Sequence, residues 1–444
     1  MKNKNGFVLS TYVYILLVFF LLLLGTMLAV LNNTKILSNK LKDNFSSNSA
    51  LIDKEFRFVL LGDKEIFIRL GDEYVEPGFK ILSFRNVDLS DNVKIESNLV
   101  VTDIGVYTID YIATYNGVTK TLTRTVHVLD NTATKYVEAL YQYKNDDNGL
   151  IRDDTDDKNI RYSGSNDQVK NYVEFGNDGE LWRIVGIFNI NNGISYDKRI
   201  KIVRESSIGE YSWDSSDSSI YEGNGINQWG ESTYIENGNT YIGADLMREL
   251  NTTYLNQETG YCCNKQGEGK CELIKCDFTS SSSTKGISGY YRNYIDEVYW
   301  NTGIIKASDY LSVSDSYNFE RGDASNNEKD IVNKTDSWKG KVGLLYPSDY
   351  SYASSDATCN TNIKDDSCKI NNWLYKNKQY YLLSPIAYID TYISSHEIMI
   401  VHEEGKTTFG LLTGSFVYPS VYLNNNIKIA SGDGTANNPY KLSL

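Results

Sequence analysis

The sequence predicts a membrane helix followed by two folded units, an all-β sandwich and a larger α+β unit. Three observations support this fold class. Residues 7–31 form an apolar run without a charged side chain, residues 56–130 alternate between apolar and polar positions, and residues 132–444 mix strand-like with helix-like stretches. Because strands repeat with a period of two and helices with a period near 3.6, periodicity distinguishes the regions.

The composition limits the functions that the chain can have. Of its 444 residues, 41% are hydrophobic and 23% are charged, so most of the chain can fold. The net charge is −13, with 57 acidic against 44 basic residues. Because nucleic-acid binding requires clustered Lys and Arg, we expect no nucleic-acid partner. Three His residues are too few for a His-rich metal centre.

Residues 7–31 predict a transmembrane helix, the only anchor that we expect. A helix of this length spans about 37 Å, enough to cross a hydrocarbon core of about 30 Å with some tilt. A cleaved secretion signal has a shorter apolar core and a small-residue cleavage site, so we favour an uncleaved anchor. Residues 1–6 would then be a cytoplasmic tail, and the acidic, Tyr-rich remainder would be extracellular on a single-pass cell-membrane protein.

The start of the chain also resembles the leader and mature N-terminus of type IV pilin-like proteins. The resemblance rests on Lys4-Asn5-Gly6, followed by Phe7 and the apolar run. It implies cleavage after Gly6 and packing of the helix into a fibre core. That family has Glu at the fifth mature position, where this chain has Thr11, so the plain anchor is the favoured interpretation.

Residues 32–55 are predicted to form a stalk. Ile36, Leu41 and Phe45 fall at helical spacing, so the membrane helix can continue for two or three turns beyond the bilayer. A flexible linker is an equally good interpretation of the Asn, Ser and Lys residues around them.

Residues 56–130 predict a β-sandwich. Val106–Ala113 and Thr119–Leu129 alternate between β-branched or aromatic residues and polar ones, and Asn116-Gly117 between them is a strong hairpin signal. Short strands separated by turns every 8–12 residues are typical of a sandwich.

The same region resembles the immunoglobulin-like (Ig-like) domain of bacterial surface proteins, which also occurs in crystal toxins. The matching motifs are Tyr74-x-Glu76-Pro77-Gly78, Asp88–Val93, Gly105–Tyr111 and Arg124–Val128. The resemblance implies a spacer or adhesive module without chemistry of its own. His127 is a lone strand histidine, which we interpret as a packing residue rather than a metal ligand.

Residues 132–444 predict an α+β extracellular domain. Glu180–Phe188 and Arg199–Arg204 have strand patterns, and Gly243–Tyr254 has the spacing of an amphipathic helix. The region resembles an uncharacterised surface-protein domain of low-GC bacteria through the motifs Ile151–Asp154, Asn159–Tyr162, Leu181–Gly186, Lys341–Tyr350 and Val421–Asn424. Its order of elements is similar to the C-type-lectin and formylglycine-generating-enzyme fold, but the sequence lacks the cysteine pair of those oxidases and the calcium-binding tripeptides of those lectins.

A cluster of acidic residues opens this domain. Asp146, Asp147, Asp153 and Asp154 lie close together in the sequence, and calcium takes six to eight oxygen ligands from such loops. The EF-hand spacing does not fit. We therefore expect a solvated acidic loop, with an irregular calcium site as the alternative and no other cofactor.

The sequence contains no recognisable catalytic motif. His396-Glu397 and His402-Glu403 invite comparison with a metalloprotease, but the two histidines would be ~20 Å apart in a strand, too far to share an ion. A glycosidase pair of carboxylates has no positive evidence in so acidic a chain. We therefore expect no enzymatic activity.

The six cysteines all lie in polar stretches of the same domain and predict disulfide bonds. They are Cys262, Cys263, Cys271, Cys276, Cys359 and Cys368. Local rings close at the lowest entropic cost, which favours pairing the last two with each other and the first two with the third and fourth. Zinc and free thiols are less favoured alternatives, because the spacing lacks the Cys-x2-Cys knuckles of zinc sites.

Tryptophan side chains are the predicted ligand-binding groups, because an exposed Trp stacks on sugar rings and peptides. We expect Trp182 and Trp338 in the core. The predicted platforms stand among Asn, Asp, Ser and Gly residues: Trp213, Trp229, Trp300 and Trp373. The sequence thus predicts a membrane-anchored surface protein whose Ig-like spacer presents a C-terminal domain for binding a glycan or a protein. The alternatives are a pilin-like structural subunit and a glycan-acting extracellular enzyme.

Overall fold

The computed structural model describes residues 13–32, 34, 55–214, 229–230, 232–234, 239–241, 243–264, 272–307, 310–322, 337–388, 397–412 and 414–444. The chain divides into two compact units between Val128 and Leu129. The predicted cytoplasmic tail, the pilin-like start up to Thr11 and nearly all of the predicted stalk lie outside the described residues.

The apolar run forms helix α1 (Val13–Asn32), which is 20 residues long. Its side chains are exposed along the whole helix, and it contains no charged residue. Its length and composition are sufficient to cross a membrane, a condition that an anchor and a secretion signal both satisfy.

The first folded unit is a β-sandwich, as its alternation predicts. Its strands are β1 (Phe56–Leu60), β2 (Glu65–Arg69), β3 (Phe79–Ser83), β4 (Val93–Ser97), β5 (Gly105–Tyr115) and β6 (Val118–Leu129). A four-stranded sheet has the order β2-β6-β5-β4, and β1 pairs with β3 in a second sheet. Phe56, Ile81 and Ala113 form one buried cluster of this unit, and Ile109, Tyr111 and Val126 form another.

The hairpin of β5 and β6 has the turn that the sequence signals. The two strands pair without interruption from Gly105 opposite Val128 to Tyr115 opposite Val118. Asn116 and Gly117 have φ angles of 47° and 80°. Such positive values are those that a two-residue hairpin turn of matching twist requires.

One cation lies within this largely apolar interior. Arg124 on β6 is 0% exposed. Its guanidinium donates to the backbone oxygens of Leu61 at 2.7 Å, Gly78 at 3.0 Å and Asp63, and it forms an ion pair with Glu76 at 3.2 Å. The Glu76-Pro77-Gly78 motif of the Ig-like resemblance is therefore part of a clamp around Arg124.

The second unit combines short helices with many strands, in agreement with the α+β prediction. Its helices are α2 (Ala133–Asn148), α3 (Asp245–Glu249), α4 (Gly289–Arg292), α5 (Val313–Glu320), α6 (Pro347–Tyr352) and α7 (Ala357–Thr361). Its strands are β7 (Leu150–Arg152), β8 (Ile160–Tyr162), β9 (Tyr172–Glu174), β10 (Leu181–Asn191), β11 (Tyr196–Arg204), β12 (Glu210–Tyr211), β13 (Ser232–Tyr234), β14 (Asn239–Tyr241), β15 (Thr259–Asn264), β16 (Glu272–Asp277), β17 (Val298–Asn301), β18 (Ile305–Ala307), β19 (Ser337–Gly340), β20 (Val342–Gly343), β21 (Tyr380–Tyr388), β22 (Glu397–Val401), β23 (Thr407–Leu411), β24 (Ser415–Phe416), β25 (Ser420–Tyr422), β26 (Lys428–Ser431) and β27 (Tyr440–Ser443).

Two sheets organise the described part of this unit. The larger has the order β20-β25-β11-β10-β9-β27-β26, and β8 joins it beside β10. The smaller has the order β12-β24-β21-β22-β23, with β18 parallel to β21. Residues 182–188 of β10 are all buried, so this central strand is covered on both faces.

Two predicted elements differ in length from their sequence signals. The helix predicted over Gly243–Tyr254 forms as α3, continued by a π-helical turn over Leu250–Tyr254. The strand predicted around Lys341–Tyr346 is reduced to β20, because Pro347 starts α6. Pro at the first helical position stabilises a helix start and has no N–H for a ladder. The likeness to the C-type-lectin and formylglycine-generating-enzyme fold stays a prediction.

Candidate functional site

The four tryptophans predicted as binding platforms are buried, which corrects that prediction. Trp213, Trp300 and Trp373 are 0% exposed and Trp229 is 1% exposed. Of the six tryptophans, Trp338 is the one that is half-buried, although the sequence placed it in the core.

Aromatic packing is the physical reason for this burial. The rings of Trp213 and Trp229 lie 4.9 Å apart, and the indole N–H of Trp300 donates to the backbone oxygen of Gly340 at 3.1 Å. Trp373 donates likewise to the backbone oxygen of Tyr162 at 2.8 Å. In Trp300 and Trp373 the indole N–H has a partner, so the large ring gains by leaving water, and Trp213 and Trp229 are buried through their ring contacts with other aromatic side chains. Polar neighbours in the sequence therefore did not indicate exposure.

Two of the four predicted calcium ligands, Asp153 and Asp154, have protein partners. Asp153 is buried and accepts hydrogen bonds from Arg161 Nε at 2.7 Å, Asn159 Nδ2 at 3.0 Å and Thr155 Oγ1 at 2.7 Å. Burial raises the pKa of Asp153, but the Arg161 guanidinium holds that pKa below its usual range. Asp154 accepts from the Tyr352 hydroxyl. The side chains of Asp146 and Asp147 lie outside the described residues, and Asp153 is the anion of an ion pair rather than a solvated loop residue.

Arg161 connects Asp153 to a buried network of charged side chains. Its Nη1 donates to Asp349 Oδ1 at 2.8 Å, and Lys201 Nζ donates to Asp349 Oδ2 at 2.6 Å. None of these four charged residues is more than 3% exposed. Burial lowers the pKa of Lys201 to about 8, although Asp349 opposes the shift. Burial also raises the pKa of Asp349, but the two cations together hold it below its usual range.

This network is built from the motifs by which the unit resembles other surface-protein domains. Asp153 lies in the motif Ile151–Asp154, Arg161 in Asn159–Tyr162 and Asp349 in Lys341–Tyr350. The three segments meet in the core of one unit, so these motifs specify its interior.

A second branch of polar contacts leads from the network towards the surface. Asn159 donates to the Tyr317 hydroxyl at 2.9 Å, and that hydroxyl donates to Asp157. The Arg321 guanidinium lies 3.4 Å from the ring centroid of Tyr317 and pairs with the buried Glu320 at 3.2 Å. Partners in the interior therefore fix the positions of the Asp157 and Arg321 side chains.

Asp157 and Arg321 line a cavity of about 420 Å³. Strands β10 and β11, strands β17 and β19 and the end of α5 surround it. Its polar lining comes from Asp157, Asn189, Asn191, Asn301, Arg321 and Ser337, and its aromatic lining comes from Tyr196 and Tyr299. We refer to this cavity as the polar pocket.

Several polar groups of the pocket are available to a ligand. Within the described residues, the side chains of Asn189, Asn301 and Tyr299 make no hydrogen bond, and Tyr196 is 69% exposed. Among the partners that the structure describes, the Arg321 guanidinium donates through Nη1 to Glu320 and to the backbone oxygen of Tyr317. The pocket can thus offer amide donors and acceptors, a guanidinium edge and two phenol rings.

Sequence reasoning missed every residue of this pocket, although Asp157 lies three positions after Asp154 of the predicted acidic cluster. Asn189–Gly193 and Tyr299–Asn301 are polar or aromatic runs that could have drawn attention locally. Nothing in the sequence indicates that they meet Arg321, because the three come from β10, from β17 and from the end of α5, which only the tertiary fold brings together.

Two cysteine pairs form disulfides within the described residues. Cys359 joins Cys368 with Cα atoms 4.8 Å apart, and Cys262 joins Cys276 with Cα atoms 5.8 Å apart. Cys263 is also disulfide-bonded, whereas Cys271 lies outside the described residues.

Residues 58–128 match the family model of the bacterial surface protein, Ig-like domain. The match spans strands β1 to β6 and confirms the Ig-like resemblance. In this unit the chain is similar to surface proteins of bacteria.

Solved structures give only distant similarities. One is the lipoprotein BT2262 from Bacteroides thetaiotaomicron, at 20% identity and a TM-score of 0.17, covering 34% of this chain and 61% of that one. Two others contain the CBM51-2 and INT domains of Clostridium perfringens ZmpB, the second in complex with GlcNAc. Their identities are 14% and 10% and their TM-scores 0.16 and 0.17, covering 34% and 52% of this chain and 30% and 40% of theirs.

TM-scores this low carry no argument about function. The chain spans between 30% and 61% of the length of these solved chains. No curated protein matches the sequence.

Proposed function

We propose that the chain is a single-pass, membrane-anchored surface protein whose Ig-like unit is a spacer and whose C-terminal unit binds a ligand outside the cell. The family match of residues 58–128 supports the surface location. Helix α1 supports the anchor, because it is 20 residues long, uncharged and exposed along its length.

The orientation is tested by adding protease to intact cells. Both folded units are expected to be degraded, while peptides of α1 persist in the membrane fraction. If both units survive in cells with a permeable wall and no leakage, the body is inside and the proposal fails.

The polar pocket is the proposed ligand site, and carbohydrate is the proposed ligand class. Asn189 and Asn301 each carry an amide that donates and accepts, which matches the paired hydroxyls of a sugar. Tyr196 and Tyr299 supply ring faces for the C–H face of a sugar. This combination of unpaired amides and tyrosine rings around one cavity is the observation that carries the proposal.

The pocket is also prearranged for binding. Arg321 is fixed by Glu320 and by the Tyr317 ring, and Asp157 accepts from the Tyr317 hydroxyl. Side chains that are already ordered lose little conformational entropy when a ligand binds, so more of the contact energy appears as affinity.

The lining favours binding over hydrolysis. A glycosidase needs two carboxylates on either side of the scissile bond. Asp157 is the one carboxylate among the described lining residues. We therefore propose that the unit is not an enzyme.

The binding proposal is tested with the detergent-solubilised full chain on a glycan array. Loss of one stacking ring removes about 1 kcal/mol, so Tyr196→Ala should weaken binding about fivefold, and Asn301→Ala should also weaken it. Tyr290→Ala is the matched control, because Tyr290 is 61% exposed and lies outside the pocket lining.

Equal binding by Tyr196→Ala, Asn301→Ala and the control would place the ligand elsewhere. Release of cleaved glycan during the assay would favour the enzyme alternative.

A further inference from the structure

A second polar cluster lies away from the pocket, where the hairpin of β15 and β16 packs against α3. Asp245 and Glu249 are one helical turn apart and so lie on the same helix face. Glu249 Oε1 contacts Cys262 Sγ and lies 3.8 Å from Cys276 Sγ, while Asp245 Oδ2 lies 3.6 Å from Cys263 Sγ. All five residues are at most 4% exposed.

The disulfide leaves Glu249 without a donor. Neither sulfur of the Cys262–Cys276 bond carries a proton to donate. Within the described residues, Glu249 makes no other hydrogen bond and no ion pair. A buried carboxylate without a partner is costly. By contrast, Asp153, Asp349 and Glu320 are equally buried, and each accepts a hydrogen bond from a cation.

The Cys359–Cys368 disulfide has no such carboxylate among the described residues. Cys359 and Cys368 are both 0% exposed. Cys359 Sγ lies 3.8 Å from the backbone oxygen of Ser351, and Cys368 Sγ lies 3.6 Å from that of Ile363. Burial of a cysteine pair in this unit therefore does not require an acidic neighbour, and Glu249 needs an explanation of its own.

We propose that, when its disulfide is reduced, this cluster binds one thiophilic divalent cation of the Zn²⁺ class through Cys262, Cys276 and Glu249. The three ligand atoms lie within 4.8 Å of one another and are all buried. Zinc takes two thiolates at about 2.3 Å and a carboxylate oxygen at about 2.0 Å, which places ligand atoms somewhat under 4 Å apart. The sulfurs reach that separation once the bond between them opens.

The exchange of the disulfide bond for the cation needs a reductant, and a dithiol supplies it. The dithiol transfers two electrons and two protons to the Cys262–Cys276 bond, giving two thiols and an oxidised dithiol. The cation then forms two metal–sulfur bonds and one metal–oxygen bond, and the thiol protons go to solvent. The reverse exchange passes two electrons to the oxidised dithiol, which takes up two protons, re-forms the Cys262–Cys276 bond, breaks both metal–sulfur bonds and expels the cation; the cluster therefore holds either the bond or the ion.

The cysteine spacing alone argued against zinc because it lacks the Cys-x2-Cys knuckles of zinc sites. Glu249 on α3 adds a ligand from outside the cysteine segment. The inference does not depend on the polar pocket.

The test uses the detergent-solubilised full chain, reduced with dithiothreitol and then freed of it by gel filtration under nitrogen. Titration with Cd²⁺ is followed by the thiolate-to-cadmium charge-transfer absorption, and competition with a chelator gives the affinity. The reduced wild-type chain should bind the ion, and the oxidised chain should not. The Cys359→Ser/Cys368→Ser variant is the matched control and should bind like the wild type.

Two variants decide the outcome. Cys262→Ser/Cys276→Ser should lose the charge-transfer band. Glu249→Gln keeps all cysteines and should weaken binding at least about tenfold, with an unchanged circular dichroism spectrum in the oxidised form. The inference is overturned if Glu249→Gln binds Cd²⁺ as tightly as the wild type, or if the reduced chain binds no more ion than the oxidised one. If the double serine variant does not fold, the Glu249→Gln comparison decides alone.

Discussion

The two folded units accommodate buried charge in different ways. In the Ig-like unit, Arg124 lies within a largely apolar core and is bonded mainly to backbone oxygens. In the C-terminal unit, Asp153, Arg161, Lys201 and Asp349 pair with one another. Each apolar contact adds its own contribution to the stability of a unit, whereas a buried charge network stabilises the unit only while every charge has its partner. The C-terminal unit should therefore be the more sensitive of the two to loss of a single side chain.

Removal of the shared anion should have the largest effect. Asp349→Ala leaves Lys201 buried without its carboxylate and leaves Arg161 paired with Asp153 alone, which should lower the free energy of unfolding of the C-terminal unit by about 3–5 kcal/mol. Differential scanning calorimetry of the detergent-solubilised chain measures this as a shift of one transition. Glu96→Ala, which breaks the exposed Lys94–Glu96 pair, should leave both transitions in place. An unchanged C-terminal transition in Asp349→Ala would remove the distinction between the units.

Loss of apolar packing in the Ig-like unit should come next. Ile81 is 1% exposed, so Ile81→Ala should cost about 2–5 kcal/mol and shift only the Ig-like transition. Ile95 is 52% exposed in the same unit, and Ile95→Ala should change stability by less than about 0.5 kcal/mol. Equal effects of the two substitutions in the same calorimetric assay would contradict the assignment of the core.

The local disulfide should contribute somewhat less. Replacing Cys359 and Cys368 by Ala opens a ring with a sequence separation of 9. The unfolded chain then gains entropy worth about 2–3 kcal/mol, which should lower the C-terminal transition alone. Non-reducing peptide mass spectrometry checks the bond itself, and alkylation of all six thiols without reductant would show that it is absent.

A dependence on pH through Lys201 should be the smallest effect. Burial lowers the pKa of Lys201 from 10.5 to about 8. Between these values the unfolded chain holds a proton here that the folded chain has lost, so stability from this group rises with pH. Below pH 8 both states are protonated and the contribution is constant.

The titration of Lys201 should appear as a pH-dependent difference in stability between the wild type and a variant that lacks this lysine. The free energy of unfolding of the wild type minus that of Lys201→Met should increase by about 1 kcal/mol from pH 8 to pH 9. Chemical denaturation at the two pH values measures it, and tyrosine titration is common to both proteins. A flat difference would mean that Lys201 titrates normally.

The comparison of the two folded units also explains which features could be predicted from the sequence. Strands β5 and β6 and their Asn116-Gly117 turn were predicted because alternation and turn chemistry are local signals. The Cys359–Cys368 pair is also local. The Arg161–Asp349 contact joins residues 188 positions apart, so its motifs were visible but their meeting was not.

The prediction of exposed tryptophans was wrong, and the polar pocket was missed, for related reasons. Trp213 and Trp229 stand among polar residues along the chain, but their neighbours in space are aromatic. Conversely, Asn189, Tyr299 and Arg321 carry no common signal, because each lies in a different element. Burial is a property of the folded surface, and local polarity predicts it only when the surrounding elements are known.

The Arg124 clamp has a consequence for mechanical load. Under the proposed function, tension between a membrane anchor and a bound ligand would cross the Ig-like unit from β1 to β6. These strands lie in different sheets, and among the described strands β1 pairs with β3 alone. Through the backbone oxygens of Leu61 and Gly78, the guanidinium ties the end of β1 and the start of β3 to the strand that leaves the unit. Part of a pulling force would therefore bypass the five residue pairs of β1 and β3 through a single side chain.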